Sequence, residues 1–385
     1  MFDLSPSYSI LSIDGGGIRG IIPCTVLIHI EKQTGMPIAD LFDMMAGTST
    51  GGLLACGLSL KGEDGRPKKT AESLLDLYCG PNGAKIFSQP RMGPLNAIRA
   101  LFRAKFPPKG IEGVLKEEFG DAKLSDSLTD LLITSYNMVQ KTPFYFKSSD
   151  ARIDPENEDF LIRDIARSTS AAPTYFPPHQ VAYGGTYLGQ KIESLCLADG
   201  GVFANNPSLL AFIEARNKWR ESDDFKAMVK KIEEFIAEEA ATADEEKKGM
   251  LASAQKGNFE APFFLLSIGT GQSRKPYPFD TSKKWGAMKW ILPIIDILMQ
   301  GVSESVHYQM ENLLPPFDDF QETPRYIRLN VELDKKDTAM DDVSDKATSR
   351  LRDHYGGMII EQNKETLETV CNLLVQISKA RRKRS

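Results

Sequence analysis

The segment Phe42-Asp-Met-Met-Ala46-Gly47-Thr48-Ser49-Thr50-Gly51-Gly52 runs from an apolar strand through a glycine-flanked serine into a helical stretch, Leu53–Leu60. A serine in a Gly-x-Ser-x-Gly turn between strand and helix must take a strained backbone, so its neighbours must be small and its hydroxyl stands above the sheet. The dipole of the helix behind it favours negative charge developing there. Such a turn needs a sheet whose strands feed helices. Further β-rich runs, Tyr8–Ile13, Asp43–Ala46, Leu131–Tyr136, Leu195–Ala198 and Phe263–Ile268, alternate with longer helical patterns. They predict an α/β fold, a largely parallel sheet covered by helices. Tyr326–Val331 alternates apolar with polar residues and is expected to close the sheet near one edge.

Two other segments bear chemistry. Ser9-Ile-Leu-Ser-Ile-Asp14-Gly15-Gly16-Gly17-Ile18-Arg19-Gly20 is a strand, a glycine loop and the start of an amphipathic run through Ile22, Val26, Leu27 and Ile30. Its glycines allow successive N–H groups to face one concavity at a helix start, where an anion can sit. A phosphate and a tetrahedral oxyanion both fit. Gly15, Gly17 and Gly20 also satisfy the dinucleotide pattern Gly-x-Gly-x-x-Gly, with Asp40 near the later acidic position. A nucleotide-binding protein is therefore one competing reading. The other segment, Leu195-Cys-Leu-Ala198-Asp199-Gly200-Gly201-Val202-Phe-Ala-Asn205-Asn206-Pro207, is a strand ending in an aspartate. By itself Asp-Gly-Gly is a turn. At the C-terminal end of a parallel strand the carboxylate would share an edge with Ser49 and could take its proton directly. None of the four histidines, His29, His179, His307 and His354, follows a strand in such a position, and each reads as a surface or packing residue. Met44, Met45, Tyr175 and Phe176 read as core.

A chain of 385 residues, 41% hydrophobic, can build a sizeable core, and its net charge of -5 argues against general nucleic-acid binding. Five cysteines, Cys24, Cys56, Cys79, Cys196 and Cys371, form no paired motif and fit reduced thiols in a cytoplasm. No secretion signal is expected at the N-terminus, and the apolar stretch Trp290–Met299, broken by Pro293 and Asp296, is too short to span a bilayer. Residues 225–257 shift to Lys, Glu and Ala and are expected to be a surface helical insertion. One domain, 1–378, is expected to carry this insertion, with a basic tail, 379–385, leaving the fold.

Taken together, the glycine loop, Gly-x-Ser-x-Gly and Asp-Gly-Gly, in that order and placement, resemble the patatin-like phospholipase family. The segments Gly80–Phe87, Ser168–His179, Leu265–Gly271 and Lys284–Gly286 look similar as well. The resemblance implies a three-layer α/β/α sandwich and a phospholipase A type lipid acyl hydrolase. It makes Ser49 the nucleophile and Asp199 its partner, with Gly15, Gly16, Gly17 and Arg19 as the oxyanion hole. No metal or organic cofactor is implied. The implied substrate is membrane phospholipid, met by peripheral contact at the inner face of the membrane, to which the basic tail would be drawn. A catalytically silent lipid-binding module is the third reading. In length and motif set the chain is also similar to bacterial patatin-like effectors of cyclic-nucleotide antiphage signalling, which implies activation by a cyclic nucleotide that favours an assembled, homo-oligomeric or open form.

Overall fold

The computed structural model describes residues 8–88, 104–187, 189–223, 225–227, 230, 234, 263–273, 276–316 and 324–384. Most of the insertion expected at 225–257 lies outside these residues. Within them the strands are β1 (Tyr8–Ile13), β2 (Met44–Gly47), β3 (Asp130–Asn137), β4 (Thr142–Lys147), β5 (His179–Ala182), β6 (Thr186–Tyr187), β7 (Gln190–Lys191), β8 (Ser194–Asp199), β9 (Phe263–Ile268) and β10 (Tyr326–Leu329). β6 and β7 make a small hairpin; the others form one sheet. From β10 at one edge through β9, β1 and β2 to β3, every neighbouring pair is parallel.

Alternation along the parallel strands divides the core in two. Leu11, Ile13, Met45, Phe264, Leu266 and Ile268 face one layer, which includes the helices Ile21–Thr34, Thr50–Leu58 and Lys364–Arg384. Ile10, Met44, Phe263 and Leu265 face the other, where Ala211, Phe212 and Ala215 of the helix Ser208–Glu221 and Met310 of the helix Ala287–Leu313 cover them. The expected three-layer α/β/α sandwich is the observed one, and β10 is its edge.

Two expectations need correction. The strand carrying Asp199 was expected to be parallel to its neighbours, yet β8 runs antiparallel to β3, with Asp199 opposite Ser135. β4 occupies one edge of β3 from Leu132 to Asn137, so β8 must use the edge that β2 uses, beyond the point where β2 stops. Gly47 is level with Ile133 and Asp199 with Ser135, two residues further on. Ser49 lies two residues past Gly47, so the tip of β8 meets the serine turn nearly end to end. The second correction concerns the tail. The helix Lys364–Arg384 continues through most of it. Arg381 pairs with Asp43 at 2.6 Å and Arg382 with Asp40 at 3.1 Å, while the Ser378 hydroxyl donates to the Asp40 carbonyl. These acidic partners hold the basic segment at the N-terminal edge of the sheet, the edge opposite Ser49.

Candidate active site

Ser49 adopts φ 54° and ψ -122°, a left-handed backbone that non-glycine residues rarely take. Packing keeps it there. A Cβ on Gly47 would lie 2.3 Å from the Gly51 carbonyl oxygen, and one on Gly51 would lie 2.1 Å from that of Ile13. The Ser49 N–H donates to Thr169 Oγ1 at 2.9 Å, and that hydroxyl donates onward to the Thr134 carbonyl at 2.7 Å. Thr48 is fixed too: its hydroxyl donates to the Ala204 carbonyl (2.6 Å) and so accepts from Thr134 Oγ1 (2.7 Å).

Asp199, only 4% exposed, lines the same cavity as Ser49 and accepts the Gly201 N–H at 2.7 Å. Burial pushes its carboxyl up to about 7, against the opposing pull of the Ser49 hydroxyl and the Gly201 N–H. No histidine lines this cavity among the described residues. His179 contacts Asp164, His307 contacts the Tyr326 hydroxyl, and His354 packs on Tyr355. The half-exposed His29 lies on the helix Ile21–Thr34.

The glycine loop comes down beside Ser49. Gly17 has φ 61°, and Gly16 and Gly17 line the same cavity as Ser49 and Asp199. Among the described residues their N–H groups donate to no protein acceptor. Gly15 leaves the expected set of oxyanion donors because its N–H donates to the Asn205 carbonyl at 3.1 Å. Arg19 leaves it as well: its Nε donates to the Gly16 carbonyl, and its side chain lines a neighbouring polar recess with Asp14, Asn205 and Asp296.

Residues 11–212 match the family described as patatin-like phospholipase. A patatin-like protein 1 of Oryza sativa subsp. indica is 34% identical over 311 residues, covering 77% of this chain and 68% of its own. A patatin-like protein 2 of Arabidopsis thaliana is 32% identical, covering 88% and 80%. Patatin-16 of Solanum tuberosum is 30% identical over 397 residues, covering 99% of this chain and 92% of its own. The chain belongs to the patatin-like phospholipase family. That membership makes it a lipid acyl hydrolase of the serine esterase type.

The dinucleotide reading fails on the geometry of this patatin-like fold. The expected acidic partner, Asp40, precedes β2 and is paired with Arg66 and Arg382, whereas the glycine loop follows β1. In a parallel pair those positions lie at opposite edges. What does converge on Ser49 is apolar: Leu53, Ile86, Ile111, Tyr175, Phe176 and Leu298 are among the residues walling the cavity. Tyr175 and Phe176 therefore line the site as well as packing on the core, while Met44 and Met45 remain core residues.

Sequence reasoning missed the residues that hold the patatin-like loops in place. Thr169 and Asn205 lie in quoted segments, yet nothing marks a threonine hydroxyl or an asparagine carbonyl as an anchor. Thr270 is another, its hydroxyl donating to the Gly15 carbonyl at 2.7 Å. Arg328 sits at a polar position of an alternating strand and would be read as facing solvent. It is instead buried against Asp14, donating to its two oxygens at 3.2 and 2.6 Å, and to Ser267 Oγ at 2.8 Å. Burial pulls the guanidinium's pKa down, but the Asp14 carboxylate outweighs it and the net shift is upward. Asp14 immediately precedes the glycine loop. Arg328→Met is expected to destabilise the fold by about 3–5 kcal/mol by stranding that carboxylate. Adding Asp14→Asn should recover much of the loss in urea unfolding, and a single variant as stable as the parent would contradict the pairing.

Proposed function

We propose that this chain is a phospholipase A type enzyme that cleaves membrane phospholipid esters through a Ser49–Asp199 dyad. The observation carrying this reading is that Ser49 and Asp199 line one apolar cavity, with the carboxyl pushed by burial up to about 7 and no histidine among the described residues of the lining. Ionised Asp199 takes the hydroxyl proton as Ser49 Oγ bonds to the ester carbonyl carbon. The carbonyl oxygen becomes an oxyanion that accepts from the Gly16 and Gly17 N–H groups. Collapse breaks the bond to the lysophospholipid oxygen, which leaves with the proton from Asp199. Water then gives a proton to Asp199 and attacks the acyl-Ser49 ester; return of that proton to Ser49 frees the fatty acid. The acyl chain occupies the apolar cavity. Hydrolysis of phospholipid vesicles and of a soluble short-chain ester, with labelling of Ser49 by an active-site serine probe, tests the reading. A folded protein that hydrolyses neither and is not labelled overturns it.

Gly17→Ala tests the oxyanion assignment. A Cβ at φ 61° would come within 2.3 Å of the Met340 carbonyl oxygen and tilt the loop amides. Loss of one such donor lowers kcat roughly a hundredfold or more. KM for a soluble ester should change much less, and a variant that loses substrate affinity at unchanged kcat would remove Gly17 from this role.

Regulation is part of the proposal and rests on the resemblance alone. A small cyclic nucleotide is expected to raise activity on bilayers by favouring an assembled or open form. Titrating a cyclic-nucleotide panel against vesicle hydrolysis and sedimentation checks this, and equal activity throughout would remove it.

A further inference from the structure

The helix Ala287–Leu313 has two halves with different surroundings. Met310, in its second half, packs into the core. In its first half Ile295, Leu298 and Met299 wall the cavity that holds Ser49. The same half turns Trp290, Ile294, Ile297 and Leu298 outward, exposed by 40, 46, 43 and 49%. Their spacing, i, i+4, i+7 and i+8, puts them on one face. Asp296, the only charged residue from Trp290 to Gly301, is off this face and accepts a hydrogen bond from the Tyr277 hydroxyl at 2.9 Å. Leu298 belongs both to the exposed face and to the cavity wall, so the apolar surface runs without a break from solvent into the site. Just ahead of it in the chain come Phe279, 76% exposed, and Lys283, which is paired with Asp280, while Lys284 and Lys289 are exposed as well.

We propose that this helix face is the surface by which the protein docks on an anionic lipid bilayer, with the cavity mouth held against the leaflet. The proposal rests on the lipid-hydrolase reading of the same site. A tryptophan and branched aliphatics on one side of a helix, flanked by lysines, match the apolar interior and anionic headgroups of such a surface. A contiguous apolar face of this kind is uncommon on a surface that meets only water. The basic end of the helix Lys364–Arg384 is poorly placed for the same task. It is paired with Asp40 and Asp43 at the opposite edge of the sheet, so docking there would turn the cavity away from the lipid.

The test uses the full chain carrying Ser49→Ala, which prevents lipid turnover during the assay, with vesicles of equal parts phosphatidylcholine and phosphatidylglycerol. Adding Ile294→Glu and Ile297→Glu is expected to weaken vesicle binding at least tenfold, whereas Lys379→Glu leaves it unchanged. With Ser49 restored, the two glutamates should cut hydrolysis of the same vesicles while kcat/KM on a soluble short-chain ester stays within twofold, since neither residue lines the cavity. Unchanged vesicle binding by the double glutamate variant overturns the proposal. So does a face-dependent dimer, seen in sedimentation as dimeric parent and monomeric variant, with no lipid binding by either. Face-dependent vesicle binding without hydrolysis of any ester would sink the enzymatic reading and leave the docking surface standing.

Discussion

Replacing Ser49 by alanine is expected to lower kcat/KM for ester hydrolysis by roughly four orders of magnitude or more, since it deletes the atom that attacks the carbonyl. The fold should survive. Alanine is smaller than serine, and the Ser49 N–H bond to Thr169 and the close packing of Gly47 and Gly51 do not involve the hydroxyl. The strained φ of 54° remains for alanine, so the backbone contributes no large change in stability. Removing the hydroxyl also takes away one of the influences holding the Asp199 pKa down, so the carboxyl should titrate still higher in the variant. Steady-state kinetics on a soluble ester, with circular dichroism melting as the control for folding, measure both. A folded variant turning over like the parent would end the assignment of Ser49, whatever the family.

Asp199→Asn should be nearly as damaging to activity and should carry a signature that a merely structural residue would lack. In the parent the base must be ionised to accept the serine proton. With the carboxyl pushed up to about 7, kcat/KM should rise with pH through that value and level off above it. Asparagine keeps the size and accepts the Gly201 N–H but has no such titration. The stability effect has the opposite sense. Folding raises this pKa above the ordinary 3.8, so the protonated acid is favoured in the folded state. Its contribution to stability is complete below 3.8 and is lost as pH rises through about 7. The uncharged variant should therefore be more stable than the parent at pH 9, by on the order of 4 kcal/mol, and show no such advantage near pH 4. A flat pH profile for the parent, or identical melting of the two proteins at high pH, would count against a buried base at this position.

Much of the fold was legible because parallel strands are buried on both faces and appear as uninterrupted apolar runs. Tyr8–Ile13 and Phe263–Ile268 were bounded correctly for that reason, and the edge strand was found from its alternation, though β10 ends at Leu329 and not at the expected Val331. β4 and β5 escaped notice. Thr142–Lys147 has an exposed proline at its second position, and His179–Ala182 is a short, mostly uncovered strand without a long apolar pattern. The elbow was legible because its steric demand falls on the residues next to Ser49 itself.

The reason given for bringing Asp199 to Ser49 was wrong even though the two meet. Where β8 can pair is set by which edge of β3 remains free, and that depends on β4, which folds back on β3 as a hairpin, a pairing the apolar runs do not reveal. The Gly15 amide shows the same limit: an N–H looks available in sequence until a carbonyl 190 positions away accepts it. The sequence by itself determined the local chemistry: a serine that only small neighbours permit, a loop that only glycines can form, and an aspartate ending a strand. Tertiary structure alone decided which loop amides stay free, that Arg328 is buried on Asp14, and that the basic C-terminal residues are pinned at the far edge. Backbone strain and turn geometry act between adjacent residues and leave a mark in sequence, whereas burial, hydrogen-bond competition and strand order depend on partners that only the completed fold brings within reach.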